Sequence, residues 1–81
     1  MATYIRYTRD LQDRVTGISW YSANPDVGEN ETPPAAFKVM GITYTGDNIS
    51  RVIISENQIE ISDIQYVYNA DGVLTDKIIH V

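Results

Sequence analysis

The chain has 81 residues and a mass of 9.1 kDa, enough for one domain. Eleven acidic against six basic side chains give a formal charge of −5, and the absence of cysteine excludes disulfides, thiolate-bound zinc and a cysteine nucleophile. The single histidine, His80, also excludes any triad or metal site that draws two imidazoles from one chain.

β-Branched residues make up 25 of the 81 positions, as eleven Ile, seven Val and seven Thr, and six Tyr, one Trp and one Phe join them. Leu and Ala supply only two and five. Such side chains fit a pleated surface and lose rotamer freedom in a helix. Apolar residues alternate along most of the sequence, and no window carries them at helical spacing for three turns. The expected fold is all-β, one domain over residues 1–81.

The first strand is expected from Thr3 to Thr8, followed by a turn at Asp10-Leu11-Gln12-Asp13 and a second strand from Arg14 to Ala23. Gly17 inside that second strand marks a bulge or a close backbone approach. From about residue 24 to 35 the chain holds all three prolines, three acidic residues and one isolated apolar side chain, Val27. Proline removes backbone donors and favours extended neighbours, so this is a long acidic loop. Strands three and four are expected over Ala36–Thr45 and Ile49–Ser55, joined by Gly46-Asp47-Asn48 as a hairpin. A fifth runs from Gln58 to Tyr68 with its alternation slipping by one residue, which places a bulge near Ser62-Asp63. Asn69-Ala70-Asp71-Gly72 suits a turn with a left-handed glycine, and Val73–Val81 returns as the last strand. No internal repeat stands out.

Six mostly antiparallel strands of this kind are expected to close into a small barrel or fold into a two-layer sandwich. In the fourth strand Ile49, Val52, Ile53 and Ile54 occupy both parities, as do Ile78 and Ile79 in the last. Burial on two sides is implied, and a domain this small lacks the means to achieve it in one flat layer. Barrel closure, self-association or docking on a protein partner would each supply the missing cover.

Chemistry is hard to find. Asp10 with Asp13, Glu60 with Asp63, and Asp71 with Asp76 are close in sequence, yet turn and strand-edge roles explain them. His80 has no G-x-S-x-G elbow to serve, and no phosphate-binding glycine loop occurs. No catalytic, cofactor-binding or metal-ligating residue is assigned, and no cofactor is expected. Residues 21–81 carry three basic and nine acidic groups, a field that repels phosphate backbones and disfavours nucleic acid as a partner.

The expectation is a non-catalytic protein-binding or assembly module, acting as an oligomer or docked on a partner. By composition it compares with accessory components of phage and virions. Two other readings stand beside it: a sequestering small-ligand binder with an intersubunit pocket, and an acidic nucleic-acid mimic. Candidate contact residues are Trp20, Tyr21, Arg6 and Arg51, with Asp26, Glu29 and Glu31 of the acidic loop. Apolar runs fall short of the roughly 20 residues of a membrane span and MATYIRYTRD has no apolar leader core, so a cytoplasmic or virion-associated protein is expected.

Overall fold

A computed structural model describes residues 2–81. Its strands are β1 (Tyr4–Arg9), β2 (Val15–Tyr21), β3 (Lys38–Thr45), β4 (Asn48–Glu56), β5 (Ile59–Tyr68) and β6 (Leu74–Ile79). They form one antiparallel sheet in the order β1-β2-β3-β4-β5-β6, an uninterrupted meander. The sheet is open. β1 and β6 lie at opposite edges, so neither the barrel nor a second layer forms within the described residues of the single chain. The cause is topological: each strand pairs only with its sequence neighbours, so β1 and β6 never meet.

Each strand begins and ends where its turn chemistry dictates. In the β3–β4 hairpin Gly46 stands first in a two-residue loop with φ +59°, a conformation that glycine adopts without steric cost. At β1–β2, the Asp10 carboxylate accepts from the backbone N–H of Gln12 and Arg14, and the Asp13 N–H returns to the Asp10 carbonyl. The β5–β6 turn repeats this scheme atom for atom: Asn69 Oδ1 accepts from the N–H of Asp71 and Val73, and the Gly72 N–H returns to the Asn69 carbonyl. Gly72 takes the expected left-handed conformation at φ +79°, and Asp13 occupies the same place at φ 63°.

The likeness continues into the strands. Thr16, Ser50 and Thr75 are each the extra residue of a bulge, unpaired between registered neighbours. Each turns its hydroxyl back across the hairpin, donating to the carbonyl of Thr8, Thr43 and Val67 at 3.2, 3.2 and 3.1 Å. The chain is thus three hairpins with one bulge in common, the first and third sharing their turn as well, a structural repeat that the sequence alone did not reveal. Only turn and bulge positions recur, and those are too few to register as sequence similarity. Gly17 follows the first bulge, where an added Cβ would meet the Cβ of Thr8 at 3.4 Å. In β5 the extra residue is Ile61, one position before the expected slip.

The remaining connections lie at the opposite end of the sheet. Residues 22–37 carry neither helix nor strand. Phe37 anchors the return of this segment, donating to the Trp20 carbonyl at 2.9 Å and accepting from the Asn57 N–H at 2.9 Å. In the β4–β5 turn, Asn57 and Gln58 both have positive φ, 50° and 69°. That pattern suits Asn-Gly and strains glutamine. Gln58→Gly is therefore expected to stabilise the fold by about 0.5–1 kcal/mol, a rise of roughly 3–6 °C in the thermal midpoint measured by circular dichroism.

Candidate functional site

Residues directly opposed across an antiparallel ladder share a face, so the register sorts every strand side chain to one side or the other. One face carries the rows Ile5, Trp20, Lys38 and Glu56; Tyr7, Ile18, Met40 and Ile54; and Ile42, Val52, Ile64 and Ile79. Tyr44 with Ile49 and Tyr68 with Leu74 extend it toward the bulged turns. The middle of this surface is apolar, and Arg9, Glu56 and Lys77 lie on the same face toward its rim. Lys38 is the charged group nearest its centre, and its Nζ lies 5.2 Å from the centroid of the Trp20 ring.

None of the described residues buries this face. Among the described residues no apolar side chain is buried, and Ile5, Tyr7, Ile49, Leu74 and Ile79 are exposed. The accessible surface is 5987 Å², whereas a compact monomer of this mass exposes about 4,900 Å². The radius of gyration of 15.5 Å likewise exceeds the roughly 12 Å of a compact domain of this length.

The opposite face is mixed. Arg51 grips Asp63 with a two-pronged contact, Nε to Oδ1 at 2.8 Å and NH2 to Oδ2 at 2.6 Å. Asp63 is the one buried residue among those described, 5 % exposed. Beside this pair His80 Nε2 meets Gln65 Oε1 at 3.2 Å. Hydrogen bonding from Arg51 draws the Asp63 carboxyl below its ordinary value; desolvation opposes this, and the charges of Arg51 and His80 add to it. A carboxyl depressed in the folded state stabilises above its unfolded value, and that contribution fades as pH falls through the folded one. Asp63→Asn is accordingly expected to lower the thermal midpoint at neutral pH, with the gap to the parent closing as pH drops below about 4. A gap that does not depend on pH would show that the carboxylate charge plays no part.

The sequence candidates separate onto different surfaces. Trp20 lies half-buried on the apolar face, while Tyr21 opposes Tyr4 on the other, so consecutive aromatics do not form one platform. Arg6 is brought to Asp26, NH2 to Oδ1 at 2.7 Å, by the turn of the acidic loop around Asn24, whose Oδ1 accepts the Asp26 N–H. Both partners are well exposed, and such a pair contributes roughly 0–1 kcal/mol. Arg51 is engaged by Asp63, and Glu29 and Glu31 remain exposed in the loop. Asp10, one of the paired carboxylates, is held by the Arg14 N–H and Nε, which keep it below its usual range. Among the described residues there is no group of three or more His, Cys, Asp or Glu arranged to hold a metal, and no helix long and apolar enough to cross a membrane. Met40, at the centre of the apolar face between Ile18 and Ile54, was not singled out from the sequence because each strand was read without its neighbours.

No family model, no curated protein and no solved structure matches the chain.

Proposed function

We propose that the protein is a non-catalytic assembly module whose apolar face is covered by another polypeptide layer, a second copy in the first instance. The observation that carries this reading is a six-stranded sheet with an apolar face on which no side chain is buried. The surface in excess of a compact monomer is about 1,100 Å², and a stable interface removes roughly 800 Å² from each partner. Two sheets packed face to face would complete the two-layer sandwich between chains that one chain does not build alone.

Light scattering coupled to size exclusion tests the reading. The expected mass is at least twice the 9.1 kDa of the chain at micromolar concentration. A folded species of single-chain mass at every concentration overturns it.

A further inference from the structure

The three bulged hairpins are joined to one another by one and the same register. Across β2–β3, Gly17, Ile18, Ser19 and Trp20 oppose Gly41, Met40, Val39 and Lys38. Across β4–β5, Arg51, Val52, Ile53 and Ile54 oppose Gln65, Ile64, Asp63 and Ser62. In both cases the residue after the bulge faces the one three positions before a tyrosine, Tyr44 or Tyr68. Those tyrosines serve the junction: Tyr44 donates its hydroxyl to the Val15 carbonyl at 2.8 Å, and Tyr68 to the Ile49 carbonyl at 2.7 Å.

At the third hairpin the equivalent carbonyl belongs to Leu74, on the edge strand β6. The residue of the first hairpin in the place of Tyr44 and Tyr68 is Arg9, which opposes Val15 as they oppose Ile49 and Leu74. We infer that the outer edge of β6 receives β1 of a second copy in this same register, so that the meander continues from chain to chain. The inference rests on the proposed assembly role and names a second, separate contact within it.

That register sets Asp76 opposite Arg6 of the next copy and Ile78 opposite its Tyr4, with Arg9 directed at the Leu74 carbonyl. Each pair falls on matching faces, and Ile78 and Tyr4 are 42 % and 38 % exposed in the single chain. Charges on an edge strand ordinarily discourage pairing. Here the two edges carry opposite signs at the very positions the repeat brings together, and a slip by one residue would throw each charge to the wrong face. An open groove of about 580 Å³ is lined by β1 from Thr3 to Arg9 together with Asn24, Pro25 and Asp26, so the incoming Asp76 takes over Arg6 from its exposed contact with Asp26. Such head-to-tail addition closes into rings or extends into filaments.

Charge exchange tests it. Arg6→Glu and Asp76→Arg, made singly, are each expected to weaken association at least about tenfold, and the double variant to restore most of it. Because the chain lacks cysteine, a second readout is clean: Arg6→Cys combined with Asp76→Cys should oxidise to a ladder of covalent oligomers, whereas Arg6→Cys with Lys77→Cys, on opposite faces, should not. The cysteine pair decides where a single charge variant loses its sheet signal. Oligomers that ignore the charge variants, or a ladder no stronger than in the mismatched pair, overturn edge pairing and leave the face-to-face reading standing. A parent protein of 9.1 kDa at all concentrations overturns both.

Discussion

Met40→Asp is expected to turn the assembled protein into monomers. Met40 sits between Ile18 on β2 and Ile54 on β4, at the middle of the apolar face, so a carboxylate there would be sealed into an apolar contact with no cationic partner opposite. Burying an unpaired charge costs several kcal/mol, and about 3 kcal/mol already lowers an association constant more than 100-fold. Sedimentation equilibrium reads the change. The control is Thr43→Asp, three residues along the same strand but on the other face and directly opposite Arg51, where a carboxylate is welcome. Equal weakening by both substitutions would show that association does not use the apolar face.

The second large effect is at Trp20. In the single chain this ring is half-buried between Ile5 and Lys38. Under a second layer it becomes core, and its truncation then carries the loss typical of a buried aromatic. Trp20→Ala is expected to destabilise the oligomer by about 3–5 kcal/mol and the dilute monomer by much less. As the one tryptophan of the chain, it also reports on its own cover. Its fluorescence should shift to the red when the protein is diluted through its dissociation range. The same emission at all dilutions, with a truncation cost independent of concentration, would mean that the ring is covered within the chain.

How much of this was legible beforehand follows from what each signal depends on. Strand positions depend on local alternation and turn residues, and all six appear within two residues of their expected limits. The left-handed Gly72 and the close approach at Gly17 were readable for the same reason: a single residue type announces a single backbone need. Which face a residue joins is a different matter, because it depends on four bulges that each reset the parity. The fourth strand illustrates the point. Val52 and Ile54 belong to the apolar face, but Ile53 stands alone on the other, between Gly41 and Asp63. Apolar residues on both parities therefore did not mean two apolar faces.

The ion pair between Arg51 and Asp63 was beyond sequence reasoning altogether. It joins β4 to β5 diagonally, and the diagonal is set by the bulge at Ile61, whose place was legible only to within a residue. Trp20 and Tyr21 were grouped as candidate contacts, but as adjacent residues of one strand they point to opposite sides and cannot serve one surface. Closure into a barrel could not be told from an open sheet, since both need the same alternation and differ only in whether β1 meets β6.

One claim underlies all of this: a single open layer draws the cover for its apolar face from another chain, so folding and association are one process. Urea unfolding followed at about 1 and 100 µM protein tests that linkage most directly. Mass action over a hundredfold range adds about 2.7 kcal/mol to the stability of an associating species, enough to raise the midpoint by roughly 1–2 M. A midpoint that climbs with concentration by this amount is the predicted result. A midpoint that stays in place, with cooperative unfolding of a lone 9.1 kDa chain, would contradict the account.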